Sequence, residues 1–486
     1  MLDRLAEWFA RTPDPVVQAI PGVVSFFLGV LTYYIGRRIY LSARRRRLQK
    51  IASSPLRRVS LERLIELDDR KGKFATDEEW QTAQGPILVE SINIRNFKSF
   101  ERLDVYFEGE SELTGHWACI AGTNGAGKSS ILQAVCLILL GNELATDLGR
   151  GRLTRMSRRA SDTVCDALIT AVVRQGASRR WLALPFSDIG IDETALREHP
   201  DYNGMQLTWR KLRDQVLVSY GATRNLAPGK QTRSPLLPIV QRQLSLFEPL
   251  TEIASAAAIL ADADGSRDAM RLLERLVPLI LTSDEIGVIS GPPFTFERGD
   301  AVVEAIDLPD GFRSTMAWLA DLCVAWHEAG KRKGRRPSTD PAEVTGIVLI
   351  DEIGLHLHPE LERAIVPRLR RALPNVQFIV TTHSPMVLAS FDRTELKVLD
   401  ARSSTGMRPP LDRQVFGFTM DDVYEYLMGT APSSSVVEEL LEEGTSKRLA
   451  EYLYQSKDTN EVQAREALRK RQELIKKIDE KGKRER

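Results

Sequence analysis

Residues 122–129 read Gly-Thr-Asn-Gly-Ala-Gly-Lys-Ser, after the apolar run Trp117–Ala121 and just before the apolar run Ile131–Leu140. A strand, a glycine-rich loop and a helix in that order form the context of a phosphate-binding loop. Glycines let successive backbone N–H groups point at one anion without side-chain interference. The helix that follows adds the positive end of its dipole. Gly122, Thr123, Asn124, Gly125, Ala126, Gly127, Lys128, Ser129 and the adjoining Ser130 are therefore the candidate nucleotide cradle. Lys128 is expected to reach the β- and γ-phosphates, and Ser129 to ligate Mg²⁺. Such a loop commits the chain to an α/β fold with a parallel sheet.

Two further elements follow in order. Gly346-Ile-Val-Leu-Ile-Asp351-Glu352 is an apolar strand that delivers two carboxylates at its C-terminal end, where α/β sheets bind their ligands. Asp351 is expected to hold the metal through water, and Glu352 to orient the attacking water. Val376-Gln-Phe-Ile-Val-Thr-Thr-His383 places a histidine at the next strand end, suited to a γ-phosphate. A lone Asp-Glu pair or histidine says little. The ordered set predicts a Mg²⁺-dependent ATP site with Glu352 and His383 as catalytic residues.

Other segments show a similar pattern. Ile92-Asn-Ile-Arg-Asn-Phe-Lys-Ser-Phe100, Ser219-Tyr-Gly-Ala-Thr-Arg224, Leu308-Pro-Asp-Gly311-Phe-Arg-Ser314, Asp351-Glu-Ile-Gly-Leu-His-Leu-His-Pro359 and Thr381-Thr-His-Ser-Pro385 recur in one family order. From Ile87 to Asp400 the chain resembles the ABC-type ATPases of the RecF/SMC/OLD superfamily, in their AbiEii/OLD branch. It is similar to Septu-type and retron-associated defence ATPases. The resemblance implies an ABC-type head with an antiparallel lobe and a parallel-sheet core. It also implies ATP-driven pairing of heads, with each nucleotide between one loop and the other head's signature. Gly311 and Ser314 would then touch the partner's γ-phosphate. Pro309 stands where the family usually has serine, which implies slow turnover or compensation by Ser314. Gly354 replaces a common acidic residue, leaving His356 and His358 as polar or purely structural members of that loop. No clear Q-loop is legible.

The N-terminus differs in kind. Val16 to Gly36 carries no charge and as a helix would span about 30 Å, a bilayer core. Arg37, Arg38, Arg44, Arg45, Arg46, Arg47 and Lys50 follow it. Asp3, Arg4, Glu7, Arg11 and Asp14 precede it and sum to −1 (2 − 3). The positive-inside rule predicts a single-pass inner-membrane anchor with the remainder cytoplasmic. A signal peptide and a buried core helix are the alternatives, but the start is not basic and no small-residue cleavage site is evident.

The expected organisation is an N-terminal segment (1–36) with its span at about 16–36, then a basic juxtamembrane linker (37–85). An ATPase domain (86–415) with a helical insertion at about 235–285 follows, and a charged helical region (416–486) ends the chain. Strands are expected at Ile87–Ile94, Leu103–Phe107, Ala167–Val173, Trp181–Leu184 and Gln215–Ser219, and a helix at about Arg313–His327. Cys119, Cys136, Cys165 and Cys323 match no metal spacing and read as reduced, mostly buried thiols.

Net charge is only +1, so no global basic field argues for nucleic acid. Two clusters keep that contact open: Arg150, Arg152, Arg155, Arg158 and Arg159, and Lys331, Arg332, Lys333, Arg335 and Arg336. Solvated loops are the simpler reading. The charged tail offers a thin apolar stripe, a partner helix or a frayed one. The chain shows no TOPRIM-like metal motif, no His-Asn-His nuclease motif and no Ser/His/Asp set. The resulting expectation is a membrane-anchored ATPase that forms a homodimer or higher oligomer and works with a separate effector in anti-phage or toxin-like defence. The alternative is a RecF/SMC-like DNA-maintenance ATPase.

Overall fold

A computed structural model describes residues 74–399, apart from interruptions of which 108–115, 225–235 and 254–265 are the longest, together with 407–408. The predicted membrane span, the basic linker up to residue 73 and the charged C-terminal region lie outside the described residues.

Five strands form the core sheet: β3 (His116–Ala121), β7 (Val216–Tyr220), β11 (Gly346–Ile350), β12 (Val376–Thr381) and β13 (Leu396–Val398). Their order is β13-β3-β12-β11-β7, and every neighbouring pair is parallel. Every residue of β7, β11 and β12 is buried. That is why these strands read as continuous apolar runs, since helices cover both faces of a parallel sheet. Helix α2 (Lys128–Asp147) packs beneath it, buried along most of its length. Among the described residues it alone is long and apolar enough to cross a membrane, yet it is a core helix of the head. Helix α3 (Tyr202–Arg213) packs on α2, its Trp209 indole donating to the Ile138 carbonyl at 2.8 Å. Helices α4 (Ser266–Leu281), α5 (Asp310–Arg332) and α6 (Pro359–Ala372) pack together with the sheet in the main hydrophobic cluster.

The second sheet is antiparallel, in the order β2-β1-β4-β5-β6. Its strands are β1 (Ile87–Phe97), β2 (Phe100–Tyr106), β4 (Ala167–Gln175), β5 (Ser178–Ser187) and β6 (Gly190–Ile191). Two buried glutamines dock it onto the core. Gln377 accepts from Val89 N at 2.7 Å and donates to Val89 O at 2.8 Å. Gln215 does the same for Ile87, at 3.0 and 3.1 Å. The β1–β4 register shifts between Val89 and Ser91, beside the Gln377 contact. Gln377→Leu would strand two buried backbone groups. We expect a loss of about 1–3 kcal/mol, read by denaturant unfolding.

Two departures from the expected organisation stand out. The segment expected as linker ends in helix α1 (Asp77–Thr82), whose Trp80 is fully buried. Lys211 caps its last turn through the carbonyls of Trp80, Gln81 and Ala83, as a cation suits a helix C-terminus. The strand expected at Gln215–Ser219 is present as β7, in the parallel core. After the helical insertion, a three-stranded antiparallel sheet was not anticipated: β8 (Gly287–Ser290), β9 (Thr295–Arg298) and β10 (Ala301–Glu304). Cys119, Cys136 and Cys323 are buried and free. Cys165 lies outside the residues whose side chains are described.

Candidate functional site

Because the core strands are parallel and in register, their C-terminal ends share one edge. The loops after β3, β7, β11 and β12 therefore emerge together, carrying Gly122–Lys128, Gly221–Arg224, Asp351–Glu352 and Thr382–His383. A cavity of about 400 Å³ opens there. The phosphate loop and the head of α2 line one side through Gly125, Gly127, Lys128, Ser129 and Ser130. Glu352, His383, Lys98 and Ser99 complete the lining.

Gly127 caps α2 in a left-handed conformation (φ +100°), and a Cβ there would fall 2.4 Å from Cζ of Phe100. Glycine is thus required for both backbone and space. Thr123, Asn124 and Gly125 form the exposed crest of the loop, while Gly122 lies buried at its base. The Lys128 ammonium donates to the carbonyls of Gly122 (3.1 Å) and Thr123 (3.2 Å) and lies 2.5 Å from Nε2 of His383. Burial lowers its pKa, while Glu352 and Asp351 push it back up.

Asp351 is held from both sides. Ser129 Oγ donates to it at 2.7 Å and Thr381 Oγ1 at 2.6 Å. A hydroxyl and a carboxylate in contact form a hard-oxygen pair, which fits Mg²⁺ completed by waters and phosphate oxygens. Among the described residues no cluster of His, Cys, Asp and Glu could hold a metal by itself.

Glu352 has φ +54°, rare for a non-glycine residue. Its N–H donates to Thr381 Oγ1 at 2.8 Å, and Oε2 accepts from the His383 N–H at 3.0 Å. Oε1 faces the His383 ring at 3.3 Å. Burial, then the charge of Asp351, raises the pKa of Glu352. Burial and then Lys128 lower that of His383, which favours the uncharged ring beside the ammonium.

Lys128, Ser129, Asp351, Glu352 and His383 thus meet in one place. The signature residues do not line that cavity. Gly311, in the first turn of α5, is buried under the chain's own loop: a Cβ there would lie 2.3 Å from the His356 carbonyl oxygen. Gly311→Ala should therefore cost about 1–3 kcal/mol by overpacking against backbone, read as a lower melting temperature without nucleotide. Ser314 Oγ accepts from Arg224 Nε at 3.2 Å. Both His356 and His358 are exposed, and His356 has φ +64°.

Lys98, Thr381 and Arg224 also belong to the site; each lies in a motif legible in the sequence, but its role is visible only in the fold. Lys98 sits in the tight β1–β2 turn with φ +51°, and burial lowers its pKa. Its signal was a lysine in a two-residue strand turn beside the loop. Both basic clusters are partly neutralised. Arg152 pairs with Glu248 and Arg158 with Glu101, at 2.6 and 2.7 Å. Arg336 forks onto Asp268 at 2.7 and 2.9 Å.

Two family profiles match. Residues 254–389 match "AAA domain, putative AbiEii toxin, Type IV TA system", and residues 91–175 match "AAA domain". The Septu protein PtuA of Bacillus mycoides (strain KBAB4) is 29% identical over 316 residues, 64% of this chain and 40% of the relative. The Retron Ec83 probable ATPase of Escherichia coli is 38% identical over 104 residues, 21% of this chain and 18% of the relative. The Retron Vc95 probable ATPase of Vibrio cholerae serotype O1 biovar El Tor is 31% identical over 130 residues, 26% and 24%. The chain spans two fifths or less of the length of these relatives. Among solved structures, an Smc head bound to the C-winged helix domain of ScpA covers 65% of this chain and 95% of its own, at TM-score 0.40 and 15% identity. The recombination mediator protein RecF covers 63% and 95%, at TM-score 0.30 and 12% identity. Likeness at that distance has no bearing on the chemistry. By sequence the chain is similar to AAA domains over residues 91–175 and 254–389, of AbiEii type over the latter, and to Septu PtuA and the retron ATPases, and it sets a phosphate loop, paired carboxylates and a histidine at one sheet edge.

Proposed function

We propose that the protein is a Mg²⁺-dependent ATPase whose heads pair around ATP, and that it serves as the sensing or regulating component of an anti-phage defence system. The convergence of Lys128, Ser129, Glu352 and His383 on one cavity, with Asp351 bonded to Ser129 beside it, carries the chemical part. Lys128 and the α2 N-terminus would hold the phosphates. Ser129 and Asp351 would hold the metal, which supplies charge neutralisation at the β- and γ-oxygens. Glu352 would orient a water toward the γ-phosphate, with His383 beside it. The names of the Septu and retron relatives support the defence role. A separate effector is proposed on the sequence, which carries no TOPRIM-like, His-Asn-His or Ser/His/Asp motif.

The uncharged Val16–Gly36 and the basic residues after it support a single inner-membrane helix with a cytoplasmic head. Pairing would bring the first turn of α5 of one head against the other's phosphates, with Pro309 leaving turnover slow. Nucleic acid is the weaker candidate partner, because Arg152, Arg158 and Arg336 are already spent on carboxylates.

The test uses the full chain in detergent. Phosphate release from ATP should require Mg²⁺, and the mass by light scattering should double with ATP. A mass unchanged by ATP would sink the paired-head reading. Recovery of the protein in the soluble fraction of lysed cells would sink the anchor.

A further inference from the structure

The loop after β7 holds one residue that the chemistry above leaves without a task. Arg224 is buried, only 5% exposed, and its guanidinium fork is shared between two elements. Nη1 donates to the carbonyl of Asp351 at 2.6 Å, and Nη2 to that of Glu352 at 2.8 Å. Nε donates to Ser314 Oγ at 3.2 Å, in the first turn of α5. Arginine suits this position because its rigid planar fork addresses several acceptors at once, which an ammonium does not.

The placement follows from topology. β7 runs parallel to β11, with Tyr220 opposite Ile350, and the Asp351 N–H donates to Tyr220 O at 2.8 Å. Four residues past Tyr220, Arg224 reaches under the carboxylate loop. The backbone it grips is unusual, since Glu352 has φ +54°. Holding the Glu352 carbonyl fixes the peptide plane that follows this residue, and with it the direction of the carboxylate. Further along, α5 is clamped to β7: Tyr220 Oη donates to Asp321 at 2.8 Å, and Arg242 binds the same carboxylate at 2.8 Å. A shift in the first turn of α5 is therefore taken up near Ser314, where Arg224 connects it to Glu352.

We infer that Arg224 is a positioning residue that relays engagement of the α5 first turn to the Asp351–Glu352 loop of the same head. A serine that accepts from Arg224 keeps its own proton to donate. When Ser314 donates to a phosphate oxygen of a facing nucleotide, its lone pairs and position change, and the guanidinium moves with them. The two carbonyls then follow, aligning Glu352 for water. Turnover is thereby gated by the facing head, while ATP binding to a single head is not. This inference rests on the proposed ATPase reading and specifies its regulation.

The experiment compares wild type, Ser314→Ala, Arg224→Lys and the double variant as full chains. ATP affinity is measured at a dilution that keeps heads apart, and phosphate release at a concentration that lets them pair. Arg224→Lys keeps the charge and most of the volume. We expect it to lower turnover by about tenfold or more, with single-head affinity within about twofold. Ser314→Ala should lower turnover several-fold, and the double variant should be no slower than Arg224→Lys, because both act through one contact. Independent, multiplying losses would overturn the relay. So would an affinity and melting temperature that fall in step with turnover. If wild type releases no phosphate, the ATPase reading fails separately, and the relay is read by hydrogen exchange with ATP. Segments 309–317 and 351–358 should then respond together in wild type, and only 309–317 in Arg224→Lys. An equal response at 351–358 in both would overturn it.

Discussion

Glu352→Gln is expected to lower phosphate release by about 10²–10⁴-fold, the usual worth of a positioned general base, while ATP binding persists. Gln keeps the acceptor for the His383 N–H, which lies 3.0 Å from Oε2, and keeps the backbone bond to Thr381 Oγ1. The geometry survives and only the negative charge goes. The same substitution should raise the melting temperature of the nucleotide-free protein. Burial and then Asp351 raise the pKa of Glu352 in the folded state. A carboxyl whose folded pKa lies above its unfolded value binds protons more readily when folded. Its ionisation therefore costs stability, fully so above the folded pKa and not at all below the unfolded one. The advantage of Glu352→Gln should grow as pH rises through that window and vanish in acid. Thermal unfolding across that range checks the sign. An unchanged melting temperature at neutral pH would mean that Glu352 is not held at a cost. Turnover in wild type should fall on acidification earlier than an ordinary glutamate would dictate, because the raised pKa protonates Glu352 first.

Much of this site was legible because its residues are periodic, apolar or glycine-rich in ways that single elements demand. Val348, Leu349, Phe378 and Ile379 are fully buried, and a strand buried on both faces cannot hide its apolar run. Gly122, Gly125 and Gly127 all take positive φ, which the spacing of the loop anticipates. What escaped depends on neighbours distant in sequence. Gln215 and Ile87 are 128 residues apart, and Gln377 and Val89 are 288 apart. Nothing local distinguishes those glutamines from solvated ones. Gly311 reads as a nucleotide contact in sequence, yet the fold gives it a second cause, the close approach of the His356 carbonyl. Strand β9 alternates too briefly over Thr295–Arg298 to be separated from a loop. Arg224 closes a motif legible in the sequence, Ser219–Arg224, but nothing local gives it a task. Its burial and its bonds to the Asp351 and Glu352 carbonyls arise because β7 lies beside β11.

Lys128→Ala is expected to weaken ATP binding by roughly 10- to 100-fold, the worth of hydrogen bonds to a charged group, and to abolish turnover with it. The stability of the nucleotide-free protein is the poorer readout, because two effects oppose. Removing the ammonium relieves a burial penalty, seen in its lowered pKa, but also takes away the cation that Glu352 and Asp351 attract. Affinity has no such cancellation. In the structure the ammonium is satisfied by the Gly122 and Thr123 carbonyls, and binding would exchange those neutral acceptors for phosphate oxygens, which are stronger partners. Lys128→Arg should fare little better than alanine. Its planar fork is larger than the ammonium and must fit between two loop carbonyls and a histidine ring 2.5 Å away. Titration with a fluorescent ATP analogue, in Mg²⁺ and then in EDTA, separates the parts. Ser129→Ala should lose affinity only in Mg²⁺, whereas Lys128→Ala loses it in both. Equal affinity of wild type and Lys128→Ala under both conditions would remove the phosphate loop from the site, and the ATPase reading with it.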